Sequence, residues 1–174
     1  MRLNICLAAL AATTALAAPA SAQSVTTSAQ GEARGVVVQP LTLSKVDNLD
    51  FGTVISSPDA GTVSINADTG ARTTTGGVTG VPNYPGNRGR FDGAGTAAQT
   101  VKLTLSPPSV LVSTTNPMDT ITVTSMVLDS GNATTRTIGS TAVFSVGVGG
   151  EFSLAANQKS GLYRAQFDLT AEYQ

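Results

Sequence analysis

Five aspartates, Asp47, Asp50, Asp92, Asp119 and Asp129, fall near the ends of apolar runs. Paired carboxylates are the raw material of metal-free acid–base chemistry. Their neighbours here are turn residues, however, and an aspartate at a turn characteristically bonds its own backbone. The chain has no histidine, and its single cysteine is Cys6. A Ser-His-Asp or Cys-His nucleophile therefore cannot be built, and zinc finds no imidazole. Asp47-Asn48-Leu49-Asp50 carries oxygens that suit calcium, but it lacks the EF-hand loop and reads as a solvated turn. Gly147-Val148-Gly149-Gly150 is glycine-rich, yet no helical pattern follows it to aim amides at a phosphate. Arg88 and Arg90 form the densest basic pair and read as a solvated strand end. Sugar stacking needs an exposed aromatic platform; with no Trp in the chain, its best candidate is Asn83-Tyr84-Pro85. The expectation is a protein that is not an enzyme and takes no cofactor or metal.

The elements around these residues begin with a processing segment. Arg2 supplies a positive n-region, Ile5 to Ala18 is apolar, and Ala20-Ser21-Ala22 fits signal peptidase, so residues 1–22 read as a leader and Gln23 as the mature start. The run is too short and Ala-rich for a membrane span, so no membrane insertion is expected. Removing 22 of 174 residues leaves about 152, enough for one domain with a core. Without Arg2 the mature chain has 9 basic residues against 11 acidic ones and no basic block, so nucleic acid is not an implied partner. The expected mature chain contains no cysteine and hence no disulfide.

Along the chain, residues 23–35 are small and polar and read as a flexible N-terminal extension, followed by the domain at 36–174. Val36 to Val46 is strand-like but crossed by Pro40, so it lies at a sheet edge or crosses between sheets. Further strands are expected at Leu49 to Ile55, Gly61 to Ile65, Thr100 to Ser106, Val110 to Val112 and Met118 to Leu128. In the last of these an in-to-out slip near Ser125 marks a bulge. Thr69 to Gly86 reads as a loop with a short strand at Ala71 to Thr75. Gly149-Gly150, between Ala142–Val148 and Glu151–Ala155, is the strongest hairpin signal. Period-two alternation recurs and a 3.6 period does not, so the fold class is an all-β, Greek-key β-sandwich.

The last strand is the most regular. From Gly161 to Gln174, Tyr163, Ala165, Phe167, Leu169, Ala171 and Tyr173 occupy one face, and the even positions from Arg164 are polar. A glycine fourteenth from the end and a penultimate tyrosine resemble the C-terminus of chaperone–usher pilin subunits. More broadly, the chain resembles a family of proteobacterial secreted proteins labelled as a domain of unknown function and described as close to Mat/Ecp-type and archaic pilins. The residues carrying the match are Leu49-Asp50-Phe51-Gly52, Gly89-Arg90-Phe91, and the span from Phe144-Ser145-Val146-Gly147 to Tyr173.

The resemblance implies an immunoglobulin-like sandwich short of one strand. A periplasmic chaperone would hold Gly161, Tyr163, Ala165, Phe167, Leu169, Ala171 and Tyr173, an usher would follow, and strand exchange between copies would then give a homopolymer at the cell surface. The donor segment would supply Val25, Thr27, Ala29, Val36 and Val38. Alternating large apolar residues are sparse between Gln23 and Arg34. Either Val36 to Leu43 contributes to the donor, or the sandwich completes itself and the protein is a self-contained envelope binding module, with Thr69–Gly86 as its binding loop. A penultimate side chain at a chain end is expected to add little to a self-contained fold.

Overall fold

The computed structural model describes residues 26–174; the leader at 1–22 and Val25 lie outside the described residues. The chain divides at Val36. Up to that residue the described segment is solvent-exposed, without strand or helix.

The regular structure of Val37–Gln174 is strand apart from one helical turn at Asp129–Asn132. They are β1 (Thr42–Asp47), β2 (Val54–Ile55), β3 (Gly61–Ile65), β4 (Arg72–Thr74), β5 (Thr79–Gly80), β6 (Gly89–Ala94), β7 (Thr100–Ser106), β8 (Val110–Ser113), β9 (Thr120–Leu128), β10 (Thr135–Thr137), β11 (Val143–Leu154), β12 (Tyr163–Arg164) and β13 (Asp168–Tyr173). The largest sheet runs β1-β6-β11-β9-β8-β12, with β3 beside the second half of β11 and β4 beyond β3. A second sheet is β10-β7-β13, and β2 pairs with β5 alone. Every pairing is antiparallel. The all-β sandwich expected from the alternation is the fold observed.

The alternation decides which side chains the layers trap. On β7, Val101 and Leu103 are buried while Lys102 and Thr104 face water. With Phe91, Leu128, Ile138, Phe144, Val146 and Val148 they form one core, covered by Leu169, Ala171 and Tyr173 of β13. Ile121, Phe152 and Leu154 join Val63 and Val78 in a second core, against which Phe51, Val54, Leu111 and Tyr163 pack. Each fully buried aliphatic or aromatic side chain contributes about 1.5–3 kcal/mol of transfer free energy.

Several expectations need correcting. Gly149-Gly150 is no hairpin: β11 runs unbroken through it for 12 residues as the sheet's central strand. The glycines are there because neighbours press in on the strand. A Cβ on Gly149 would lie 2.3 Å from the Ile65 carbonyl oxygen, and one on Gly150 would lie 2.6 Å from that of Ser125. Of Leu49 to Ile55 only Val54–Ile55 is strand, apart from a single bridge from Asp50 to Asn87. Gly89–Ala94, absent from the strands expected above, is the internal strand β6, with Gly93 leaving room for the Phe144 ring. The C-terminal run is two strands rather than one, β12 in the large sheet and β13 in the second.

The expected bulge is present. Glu151 pairs with Ser125 and Phe152 with Val123, so Thr124 is the extra residue. It returns Met126 and Leu128 to the inner face that Ile121 and Val123 already occupy. The edge position expected from Pro40 is also found: β1 ends the large sheet, starting two residues after the proline.

Candidate functional site

The covering layer over the large sheet is split. The β10-β7-β13 sheet lies over the first core, and β2 with the Phe51 segment lies over the second. Between them runs a groove of about 1040 Å³, bordered by Asn48–Val54 on one side and Gly161–Phe167 on the other. Its apolar lining includes Leu111, Ile121, Val123, Met126 and Phe152. Ile121 and Phe152 are buried, whereas Leu111, Val123 and Met126 are only half-buried. Phe51 stands edge-on to Phe152 with ring centroids 4.7 Å apart.

Each C-terminal residue expected at the site can be placed. Gly161 is exposed in the turn before β12. Tyr163 packs on the second core, and its hydroxyl donates to the Lys159 carbonyl at 2.8 Å while accepting from Gln158 Nε2 at 3.0 Å. Ala165 is exposed, contrary to its place in the alternation, because the chain leaves one sheet for the other there. Phe167 meets Phe91 edge-to-face at 5.9 Å, and Leu169, Ala171 and Tyr173 continue over the first core. One alternating face thus serves two cores.

The groove's C-terminal rim carries unused backbone. Tyr163 and Arg164 pair with β8, and pairing with β7 starts only at Asp168. Among the described residues, no backbone hydrogen bond outside the strands engages Ala165, Gln166 or Phe167. Both β12 and β13 have a partner strand on one side only. A row of unpaired amides and carbonyls beside an apolar floor is a template for an added strand.

Tyr173 is not a frayed end. Its hydroxyl donates to the Gln39 carbonyl and accepts from the Thr96 amide, both at 2.8 Å. It therefore ties the chain end to the segment before β1 and to the loop after β6. Gly95 makes this approach feasible, since a Cβ there would lie 2.4 Å from the hydroxyl oxygen.

Thr27, Ala29, Val36 and Val38 of the candidate donor segment are exposed and outside any strand, and Val25 lies outside the described residues. Val36 and Val37 are 82% and 96% exposed, unusual for valine. Leu41 and Leu43 differ: they pack on their own first core, and Leu43 belongs to β1. They are committed within the chain, so the run Val36 to Leu43 is not free as a unit.

The aspartates scatter over the fold. Asp47 pairs with Arg90, Asp119 with Lys159 and Asp129 with Arg136. Asp50 Oδ1 accepts the Gly52 amide at 2.8 Å, the local turn bond expected of it. The hydrogen bond and charge of Asp119 raise the Lys159 pKa above its usual 10.5.

One structural feature went unmarked in the sequence. Arg72, alone in a Gly- and Thr-rich stretch, donates to the carbonyls of Phe51, Thr53 and Tyr84 from Nη1 and of Val81 from Nη2, at 2.9 to 3.2 Å. It locks the Asn48–Val54 rim to the loop beyond β5. The only sequence signal is an arginine with no acidic neighbour.

No curated protein and no solved structure matches the chain. A family model described as Domain of unknown function (DUF4402) matches residues 41–173. That span opens just before β1 and closes on Tyr173, so it takes in both cores, both rims of the groove and the Tyr173–Thr96 half of the clamp; the chain belongs to this family.

Proposed function

We propose that the protein is a structural subunit of a surface fibre, assembled when a strand from a partner completes its sandwich. The groove between Asn48–Val54 and Gly161–Phe167 carries this reading. A lipid or small apolar ligand would use the floor but would leave the amides and carbonyls of Ala165, Gln166 and Phe167 idle. An extended peptide uses both, through backbone bonds to the rim and alternate side chains on the floor. After export of the chain, a periplasmic chaperone strand fills the groove, and at the usher a second copy's N-terminal segment replaces it. Head-to-tail contacts of this kind do not close on themselves and so grow into filaments. The exposed valines at 36 and 38 are the best apolar donors outside the strands. A second reading, a self-contained binding module of the envelope, is favoured by the ordered loop that Arg72 holds.

The test uses the absence of cysteine after residue 22. Ala165→Cys combined with Val38→Cys, or with Val36→Cys, is expected to give a ladder of disulfide-linked oligomers in oxidised surface material. Lys102→Cys with Val38→Cys serves as control, because Lys102 lies on β7 between two partner strands. Folded monomer with no ladder from either pair, and no co-purifying chaperone, would refute assembly through this groove.

A further inference from the structure

Beside the groove, across the Asp50–Thr53 ridge, lies a second hollow of about 410 Å³. Its lining includes Asp50, Asn83, Tyr84, Asn87 and Leu162. We propose that this hollow binds a neutral saccharide, with the Tyr84 ring as stacking platform and Asp50, Asn83 and Asn87 as hydrogen-bonding groups. The inference does not depend on strand complementation and specifies a ligand for the loop of the second reading.

Three observations point to that class of ligand. First, Tyr84 is 65% exposed, and Leu162 across the hollow is 52% exposed. An exposed tyrosine offers an apolar ring face with a polar tip, and it loses little entropy on binding. Second, the polar lining is neutral except for one carboxylate. Asp50 commits Oδ1 to the Gly52 amide, leaving Oδ2 to accept from a hydroxyl. Asn87 spends Nδ2 on the carbonyls of Asn48 and Arg88, leaving its side-chain oxygen as an acceptor. Arg72 does not line the hollow, and its guanidinium is taken up by carbonyls. An anion would therefore meet Asp50 without a compensating cation, and a purely apolar ligand would strand the carboxylate and amides. A molecule with apolar ring faces and hydroxyl edges satisfies both sets of groups.

Third, the platform is held in place before any ligand arrives. Asp50 and Asn87 exchange backbone bonds of 2.9 and 2.8 Å, the Thr53 amide donates to the Tyr84 carbonyl at 3.0 Å, and the Val81 amide to the Thr53 carbonyl at 2.9 Å. Gly52 and Gly86, at φ of +71° and +80°, pack so closely that a Cβ on either would collide with backbone of the other's loop. Arg72 adds its bonds from below. Such ordering lowers the entropy cost of capturing a weakly held ligand. The volume falls within the roughly 300–1,000 Å³ usual for small-molecule sites.

The experiment is saturation-transfer NMR on the mature protein with maltose, cellobiose, lactose and N,N′-diacetylchitobiose, each at ~10 mM so that a site with a Kd of about 1 mM is mostly filled. At least one disaccharide is expected to receive saturation, strongest on the protons of one ring face. Tyr84→Ala should weaken binding at least tenfold and Tyr84→Phe should retain it, both with the wild-type melting temperature. Asn83→Ala, at an exposed position, gives a second variant with the same expected direction should Tyr84→Ala misfold. No transfer to any of the four sugars overturns the proposal. Transfer that survives both Tyr84→Ala and Asn83→Ala overturns it equally, as does a Tyr84→Ala defect confined to self-association.

Discussion

Tyr173→Phe removes one oxygen atom and tests whether the chain end is clamped. That oxygen accepts from the Thr96 amide and donates to the Gln39 carbonyl, both at 2.8 Å. Gln39 is exposed, so water replaces the lost donor there at little cost. Thr96 is half-buried, and its stranded amide costs about 1–2 kcal/mol. For a domain of this size each kcal/mol lowers the melting temperature by roughly 2–4 °C, so a fall of about 2–8 °C is expected. Tyr173→Ser also strips the half-buried ring from the first core. That adds about 2–3 kcal/mol and brings the total fall to roughly 6–20 °C. Gly95→Ala attacks the same contact from the other side, and its effect should be less than additive with Tyr173→Phe, because both remove one interaction. The assay is thermal denaturation of the mature chain by circular dichroism. A Tyr173→Phe melt within about 1 °C of wild type would refute the clamp at the hydroxyl, and a Tyr173→Ser melt equal to Tyr173→Phe would refute the contribution of the ring. A loss of fibres in Tyr173→Ser would therefore report stability first, which makes the exposed Ala165 the cleaner position for probing assembly.

Gly149→Val should prevent folding, measured as loss of soluble protein on expression, because the new side chain collides with the backbone of Ile65 and Ala67 in the middle of the sheet; normal yield would contradict the close approach described for β11. Lys159→Met should show a pH-dependent difference from wild type. The folded-state pKa of Lys159 is raised, first by its hydrogen bond to Asp119, so its contribution is fully present below the ordinary 10.5 and fades as pH rises through the higher folded value. The stability gap should stay level from about pH 7 to 9 and close above about pH 11, and a gap unchanged at the alkaline end would count against the pair.

The strands that read correctly from the sequence are those whose two faces meet different media. Gly61–Ile65 and Thr100–Ser106 were legible to the residue because one side of each is core and the other is water or threonine-rich surface. β6 and β11 escaped for the opposite reason. Their glycines serve to let neighbouring chains approach, and in one sequence that use looks the same as a turn. The C-terminal face was legible residue by residue except at Ala165. Its division between two sheets was not, since alternation records which side is apolar and not which strand lies alongside. The groove could not be read from the sequence, because its two rims are more than 100 residues apart and neither is strand along its full length. Tyr84 was visible as an exposed aromatic, but the arginine that fixes its loop was not.

The break at Ala165 to Phe167 has a cause in the strand opposite. Tyr163–Arg164 and Asp168–Tyr173 run antiparallel to β8 and β7, which are consecutive in the chain, so the C-terminal run follows its partner around one corner of the sandwich. Between the two pairings the C-terminal run advances four residues, from Arg164 to Asp168, while the partner covers six, from Val112 back to Ser106. The surplus falls at Pro107-Pro108, which bring no amide hydrogens to the corner. Ala165, Gln166 and Phe167 consequently find no ladder partner there, and Pro108 itself lines the groove. The same corner that moves the chain from one sheet to the other therefore leaves backbone unpaired beside an uncovered apolar floor. A strand laid into the groove would supply donors and acceptors that the prolines cannot, and it would join the two separated halves of the covering layer. This corner is where the proposed complementation would act, since an ordinary hairpin there would leave no backbone unpaired beside the floor.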